Sequence, residues 1–164
     1  MSEATKRQSD ADLHYMSGMI LEDAGSLDRA MQEYQEAYRL DPRSADIAQA
    51  MAALSLRRGK TEDALAYGRQ ALEFEPNRTE TLMLLASVHS ARKQYETAID
   101  FYRKVIAVDP GNDEAYLYLG SLFANLKRYD GAIEVFRALE KRNPSSIMAL
   151  YYLGRVYADQ NMYP

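Results

Sequence analysis

DEAYLYLGSLFANLKRYDGAIEVFRALEKRNPSS, residues 113–146, is the stretch whose reading decides the fold. Tyr116, Leu119-Gly120 and Phe123 fall at helical spacing, as do Ala132-Ile133 and Phe136 after a polar break, and Asn143-Pro144 closes the second run. Apolar residues three and four apart mark one face of a helix, not the alternation of a strand. The segment therefore reads as helix, turn, helix, turn.

Outward from Pro144 the pattern repeats. Pro42, Pro76, Pro110 and Pro144 stand 34 residues apart, and Ala30, Ala64, Ala98 and Ala132 keep the same step, each twelve residues before its proline. Placing each proline at position 32 gives the units 11–44, 45–78, 79–112 and 113–146 and a half unit 147–164. Position 8 is then always small, Gly18, Ala52, Ala86, Gly120 and Gly154, which lets the two helices of a unit approach closely. Position 10 is always apolar, Ile20, Leu54, Val88, Leu122 and Val156, and an aromatic follows the second-helix alanine at Tyr34, Tyr102 and Phe136. Gly25 and Gly59 stand where a first helix should end in a left-handed residue, and the residue before each proline should end the second helix. The second unit, with Ala48, Met51, Ser55 and Gly68 where larger side chains are usual, is expected to pack most loosely.

Composition narrows the function. At 164 residues, 47% hydrophobic and 27% charged, the chain has the make-up of a folded protein. A net charge of −4 without a basic stripe speaks against nucleic acid as a partner. The absence of cysteine excludes disulfides and thiolate chemistry and leaves cytoplasm and periplasm equally open. No apolar run is long enough to span a bilayer. Met1 to Asp10 reads as a polar, disordered tail before a single array over 11–164. Tyr163 and Pro164 resemble the opening of a further second-type helix, so the array is expected to be cut from a longer one, with the face of its last helix open to self-association.

These columns resemble the tetratricopeptide repeat, whose pattern is aromatic, Leu-Gly, Tyr, then Ala, aromatic, Ala and Pro at fixed offsets. The resemblance covers Ala11 to Pro164 and implies an all-α, right-handed solenoid of antiparallel helix pairs, about four and a half repeats long. It also implies that positions 2, 5, 6, 9 and 12 of the first helices line an inner groove. Here they supply the candidate ligand contacts Tyr15, Met19, Gln49, Ala53, Met83, Ser87, Leu117, Tyr118, Ser121, Tyr151, Tyr152 and Arg155. The family's best-known mode, a cationic clamp on the C-terminal carboxylate of heat-shock chaperones, finds Tyr15, Met19, Ala50, Glu80 and Leu84 in place of its Lys, Asn and Arg. A groove rich in Met and Tyr suits an apolar or amphipathic segment instead.

Asp12, Asp46, Glu80 and Glu114 open the first helices, where a carboxylate favours the helix dipole whatever the function. His14 and His89 fall on packing columns, and no phosphate loop, metal-spaced pair or nucleophile set appears, so neither catalysis, metal nor cofactor is expected. The expected role is a protein-interaction scaffold that binds a peptide in the groove. The alternative is an assembly subunit of a secretion, pilus or organelle complex, using array ends or convex positions such as Arg103 and Arg137.

Overall fold

A computed structural model describes residues 2–160; Tyr163 and Pro164 lie outside the described residues. Among those residues the chain is all-α, with α1 (Glu3–Asp23), α2 (Leu27–Leu40), α3 (Ala45–Arg57), α4 (Thr61–Phe74), α5 (Thr79–Ala91), α6 (Tyr95–Val108), α7 (Asp113–Asn125), α8 (Tyr129–Arg142) and α9 (Ile147–Asp159). Odd-numbered helices are the first helices of the repeat and even-numbered ones the second. Packing groups them into two compact units, Met1–Leu84 and Leu85–Pro164, divided inside α5.

Residues 3–10, read from sequence as part of a disordered tail, are helical: α1 begins at Glu3, and Ser2 caps it by accepting the Thr5 N–H. Glu3 to Asp10 contains neither Gly nor Pro, and extending an existing helix needs no new nucleus. The extension is also tied to α2, because the Arg7 guanidinium donates to the carbonyls of Leu40 at 2.8 Å and Arg39 at 3.2 Å.

The turn after each first helix repeats in backbone detail. The Ser26 N–H reaches back to the Leu21 carbonyl and the Gly25 N–H to that of Glu22, the paired bonds of a Schellman motif. The outer bond recurs from Lys60 to Ser55, Gln94 to His89 and Arg128 to Phe123. Its left-handed residue is Gly25 (φ 75°), Gly59 (φ 71°), Lys93 (φ 60°) and Lys127 (φ 58°). Sequence reading found the two glycines; the two lysines adopt the same conformation at a cost that glycine does not incur. At the other turn, Asp41, Glu75, Asp109 and Asn143 leave the helical region (φ −127° to −129°, ψ 81° to 85°), as a following proline favours.

In the first unit the core joins Ala30, Met31, Tyr34 and Ala37 of α2 to Ile47, Met51 and Leu54 of α3. The repeat expected to be loosest is closed: Ala48, Met51, Ser55 and Gly68 are all buried, and Met51 packs into the cluster with Tyr34 and Leu54. In the second unit Phe136 is fully buried against Gly120 and stacks on Tyr152 with ring centroids 5.2 Å apart.

Position 8 explains itself in these cores. A Cβ on Gly18 would stand 2.5 Å from the Tyr34 ring, and one on Gly120 would stand 2.5 Å from that of Phe136. A Cβ on Gly154, in the same column, would meet nothing within 4 Å among the described residues. Two substitutions identical in chemistry should therefore differ in sign. Gly120→Ala overpacks a ring held on both faces and should cost about 1 kcal/mol or more, after allowing for the better helix propensity of alanine. Gly154→Ala gains that propensity unopposed and should stabilise by about 0.5–1 kcal/mol. Urea titration followed by circular dichroism compares them directly. By the same method, Lys93→Gly and Lys127→Gly should each raise stability, by about 0.5–1 kcal/mol.

Candidate functional site

The predicted groove residues all lie on first helices, but the structure uses them unequally. In the first unit Tyr15 is half-buried, tilted against Tyr34 at 5.6 Å. Met19 and its neighbour Met16 are exposed, and Ala53 and Met83 are partly covered. Gln49 accepts a hydrogen bond from the Thr81 hydroxyl, so it links α3 to the start of α5. Tyr34, beneath Tyr15, donates its hydroxyl to Glu22 at 2.8 Å, and Glu22 in turn pairs with Arg57, fastening α1 to α3. Burial and the Glu22 carboxylate push the Tyr34 phenol well above its ordinary range.

The second unit brings more of the set together. Ser121, Tyr152 and Arg155 line one shallow cleft between α7 and α9 with Ala124, Asn125, Val156 and Asp159. Tyr151 meets Tyr152 edge-on at 5.3 Å, and the Arg155 guanidinium lies over both rings, at 5.9 and 6.0 Å. Tyr118, 49% exposed, lies over Tyr102 at 5.9 Å. Its phenol is raised chiefly by a hydrogen bond to Glu114, with smaller contributions that include Tyr152. Ser87 is exposed on α5, whereas Leu117 turns partly into the cluster of Tyr116, Leu139 and Ala149.

The cleft can hold an apolar or aromatic side chain against stacked rings, with a guanidinium to donate and the Asp159 carboxylate to accept. Asn125 and Asp159 were not among the residues read from the sequence. Both occupy position 13, four residues beyond position 9, and extending the groove columns by one helical step would have found them.

The other candidates are structural. His14 pairs with Glu33 at 2.7 Å, and buried His89 bonds to Gln94 at 2.6 Å and stacks on Phe101. Among the acidic openers, Asp46 is held by Arg78 at 2.6 Å and Asp12 accepts from Gln8. No group of His, Cys, Asp or Glu that could hold a metal occurs among the described residues, and no helix there is long and apolar enough to cross a membrane.

Residues 21–88 match the family described as tetratricopeptide repeat. Residues 57–138 and 91–164 match that described as anaphase-promoting complex, cyclosome, subunit 3, which is of the same repeat type. The chain belongs to the tetratricopeptide-repeat family. No curated protein matches it. Among solved structures, this repeat protein is similar to MamA from Desulfovibrio magneticus RS-1, with 20% identity, TM-score 0.81, and 93% of this chain and 86% of that one covered. It is also similar to YrrB, a repeat protein described as having an unusual peptide-binding site, with 21% identity, TM-score 0.77, and coverage of 98% and 85%. PilF of Pseudomonas aeruginosa gives 19% identity, TM-score 0.78, and coverage of 95% and 71%. At such identities the likeness shows the fold alone, a solenoid of helical repeats; the repeat family supports a protein–protein interaction scaffold in general.

Tyr102 lies under Tyr118, and burial, helped by Tyr118 and Glu114, pushes its phenol up to about 12 from 10.0. A proton held more tightly when folded stabilises the fold below the unfolded value and is lost as pH climbs through the folded one. Stability should thus decline between pH 10 and about 12, and Tyr102→Phe should remove its share of that decline in urea titrations across the interval.

Proposed function

We propose that the α7–α9 surface of the second unit captures an apolar or amphipathic peptide segment of another protein. The observation that carries this reading is the cluster of Tyr118, Tyr151, Tyr152 and Arg155. Two of its tyrosines, Tyr118 at 49% and Tyr151 at 55%, stay exposed although each rests against another ring. Rings already fixed by stacking lose little freedom on binding, which favours them as contact residues. An apolar side chain of the ligand would lie against the rings while Arg155 takes a carbonyl or carboxylate. YrrB, with its described peptide-binding site, lends the reading an analogy of fold.

Assembly through exposed second-helix arginines has less support. Arg103 already lies over the Phe123 ring at 5.8 Å, and Arg137 donates to the Tyr157 hydroxyl at 2.8 Å. Tyr118 and Tyr151 rest on other rings too, but about half of each stays exposed.

The test is selection of a displayed library of amphipathic peptides on the native chain, followed by affinities from fluorescence anisotropy. Tyr118→Glu and Tyr151→Glu should each weaken the selected peptides at least tenfold, about 1.4 kcal/mol, with helicity and melting unchanged. Recovery of no peptide, or equal binding by native and variant chains, would sink the reading.

A further inference from the structure

A groove runs between α6 and α8 over a floor of α7, inside the second unit and bounded on all three sides by helices described in full. It encloses about 200 Å³ above Tyr116, Leu119 and Phe123. In the first unit the corresponding positions on α2 and α4, repeat positions 28 and 23, hold Tyr38 and Tyr67. Both rings are half-buried against the core, and the Tyr38 phenol is raised by burial, then by Glu73 and by neighbouring Tyr67. The second unit has only Ile106 and Val135 there. Its larger floor, with Tyr116 and Phe123 where the first unit has Ala48 and Ser55, returns part of the lost volume and leaves the groove open.

The α8 wall is cut back as well. Repeat positions 19 and 26 hold Arg29 and Glu36, Asp63 and Gln70, and Thr97 and Lys104 in three repeats, but Gly131 and Ala138 in the fourth. Gly131 has a local reason, since a Cβ there would stand 3.3 Å from the Phe123 ring. Ala138 is exposed and leaves the groove open to solvent. At the rim the exposed Glu134 carboxylate has no hydrogen-bond or ion-pair partner among the described residues. Arg103, laid over Phe123, closes the α6 side.

A volume of about 200 Å³ suits one side chain and falls short of the roughly 300–1,000 Å³ of a small-molecule pocket. We propose that this groove receives a tyrosine side chain of another protein, its ring lying on Phe123 and Tyr116 between Ile106 and Val135 and its phenol donating to Glu134. The first repeats supply the precedent, because there the fold places two tyrosines of its own at these positions. A buried ring edge with a carboxylate at the rim also matches the two ends of a tyrosine, one apolar and one polar. A second copy of this chain is poorly placed to supply the ring. Tyr118 and Tyr151, the exposed aromatics among the described residues, rest against Tyr102 and Tyr152 and would have to leave them first. The groove shares no residue with the cleft of Tyr152 and Arg155 and does not depend on it.

The probes are the capped peptides acetyl-Gly-Tyr-Gly-amide and its phenylalanine and alanine counterparts, titrated to millimolar concentration into the chain with isotope-labelled Ile, Leu and Val methyl groups and followed by NMR. The tyrosine peptide should move the Ile106, Leu119 and Val135 signals saturably and bind about threefold to tenfold more tightly than the phenylalanine peptide. The alanine peptide should move none of them. Glu134→Ala should remove the difference between tyrosine and phenylalanine. The double variant Ile106→Tyr, Val135→Tyr restores the residues of the first unit, and its Leu119 signal should not respond. If that variant fails to melt as a folded chain, Ala138→Gln, a change at an exposed position, should still weaken the tyrosine peptide about threefold. Tyr118→Glu should leave its affinity as it was. Unmoved methyl signals, equal responses to the tyrosine and alanine peptides, or an equal response by the folded double variant overturns the proposal. So does movement of the same signals on raising the protein concentration alone, because the occupant would then be a second copy.

Discussion

The structure depends on one steric constraint, an aromatic ring laid directly on a glycine of the neighbouring helix. Tyr34 over Gly18 and Phe136 over Gly120 leave no room for even one carbon. That contact sets how closely the first and second helices of a unit approach, and the surrounding packing follows from the spacing. The second repeat carries Ala52 and Gly68 at the corresponding positions, and both are buried.

The same rings carry the surface above them. Tyr15 leans on Tyr34, Tyr118 on Tyr102, and Tyr152 on Phe136. In each pair the lower ring is buried and the upper one reaches the first-helix face. Core and candidate site are thus two layers of one stack. Changes to a lower ring will therefore appear as binding defects as well as stability defects, and only the outer tyrosines separate the two.

Much of this was legible in the sequence because it rests on spacing. The 34-residue step of proline and alanine locates every turn, and the small column at position 8 locates the close approach. Spacing is silent where chemistry departs from type. Lys93 and Lys127 occupy left-handed positions that a reader assigns to glycine, since the bonds enforcing them run between backbone groups. Glu3 to Asp10 reads as a tail on polarity alone, because its anchor to α2 joins residues 32 and 33 positions apart. The groove columns name positions on the first helices. They do not reveal that Gln49 is engaged by Thr81 and Leu117 by a core cluster, which depends on neighbours distant in the chain.

The anchored N-terminus has a practical consequence. Ser2 to Ser9 are exposed and mostly polar, and an experimenter seeking crystals would be tempted to trim them. Arg7 is among them, and its guanidinium covers two carbonyls at the end of α2, while Gln8 reaches Asp41 at the turn beyond. A shortened chain would hand those acceptors back to water and loosen the last turn of the helix that carries Tyr34. What looks like dispensable solubilising sequence is the end-stop of the first repeat.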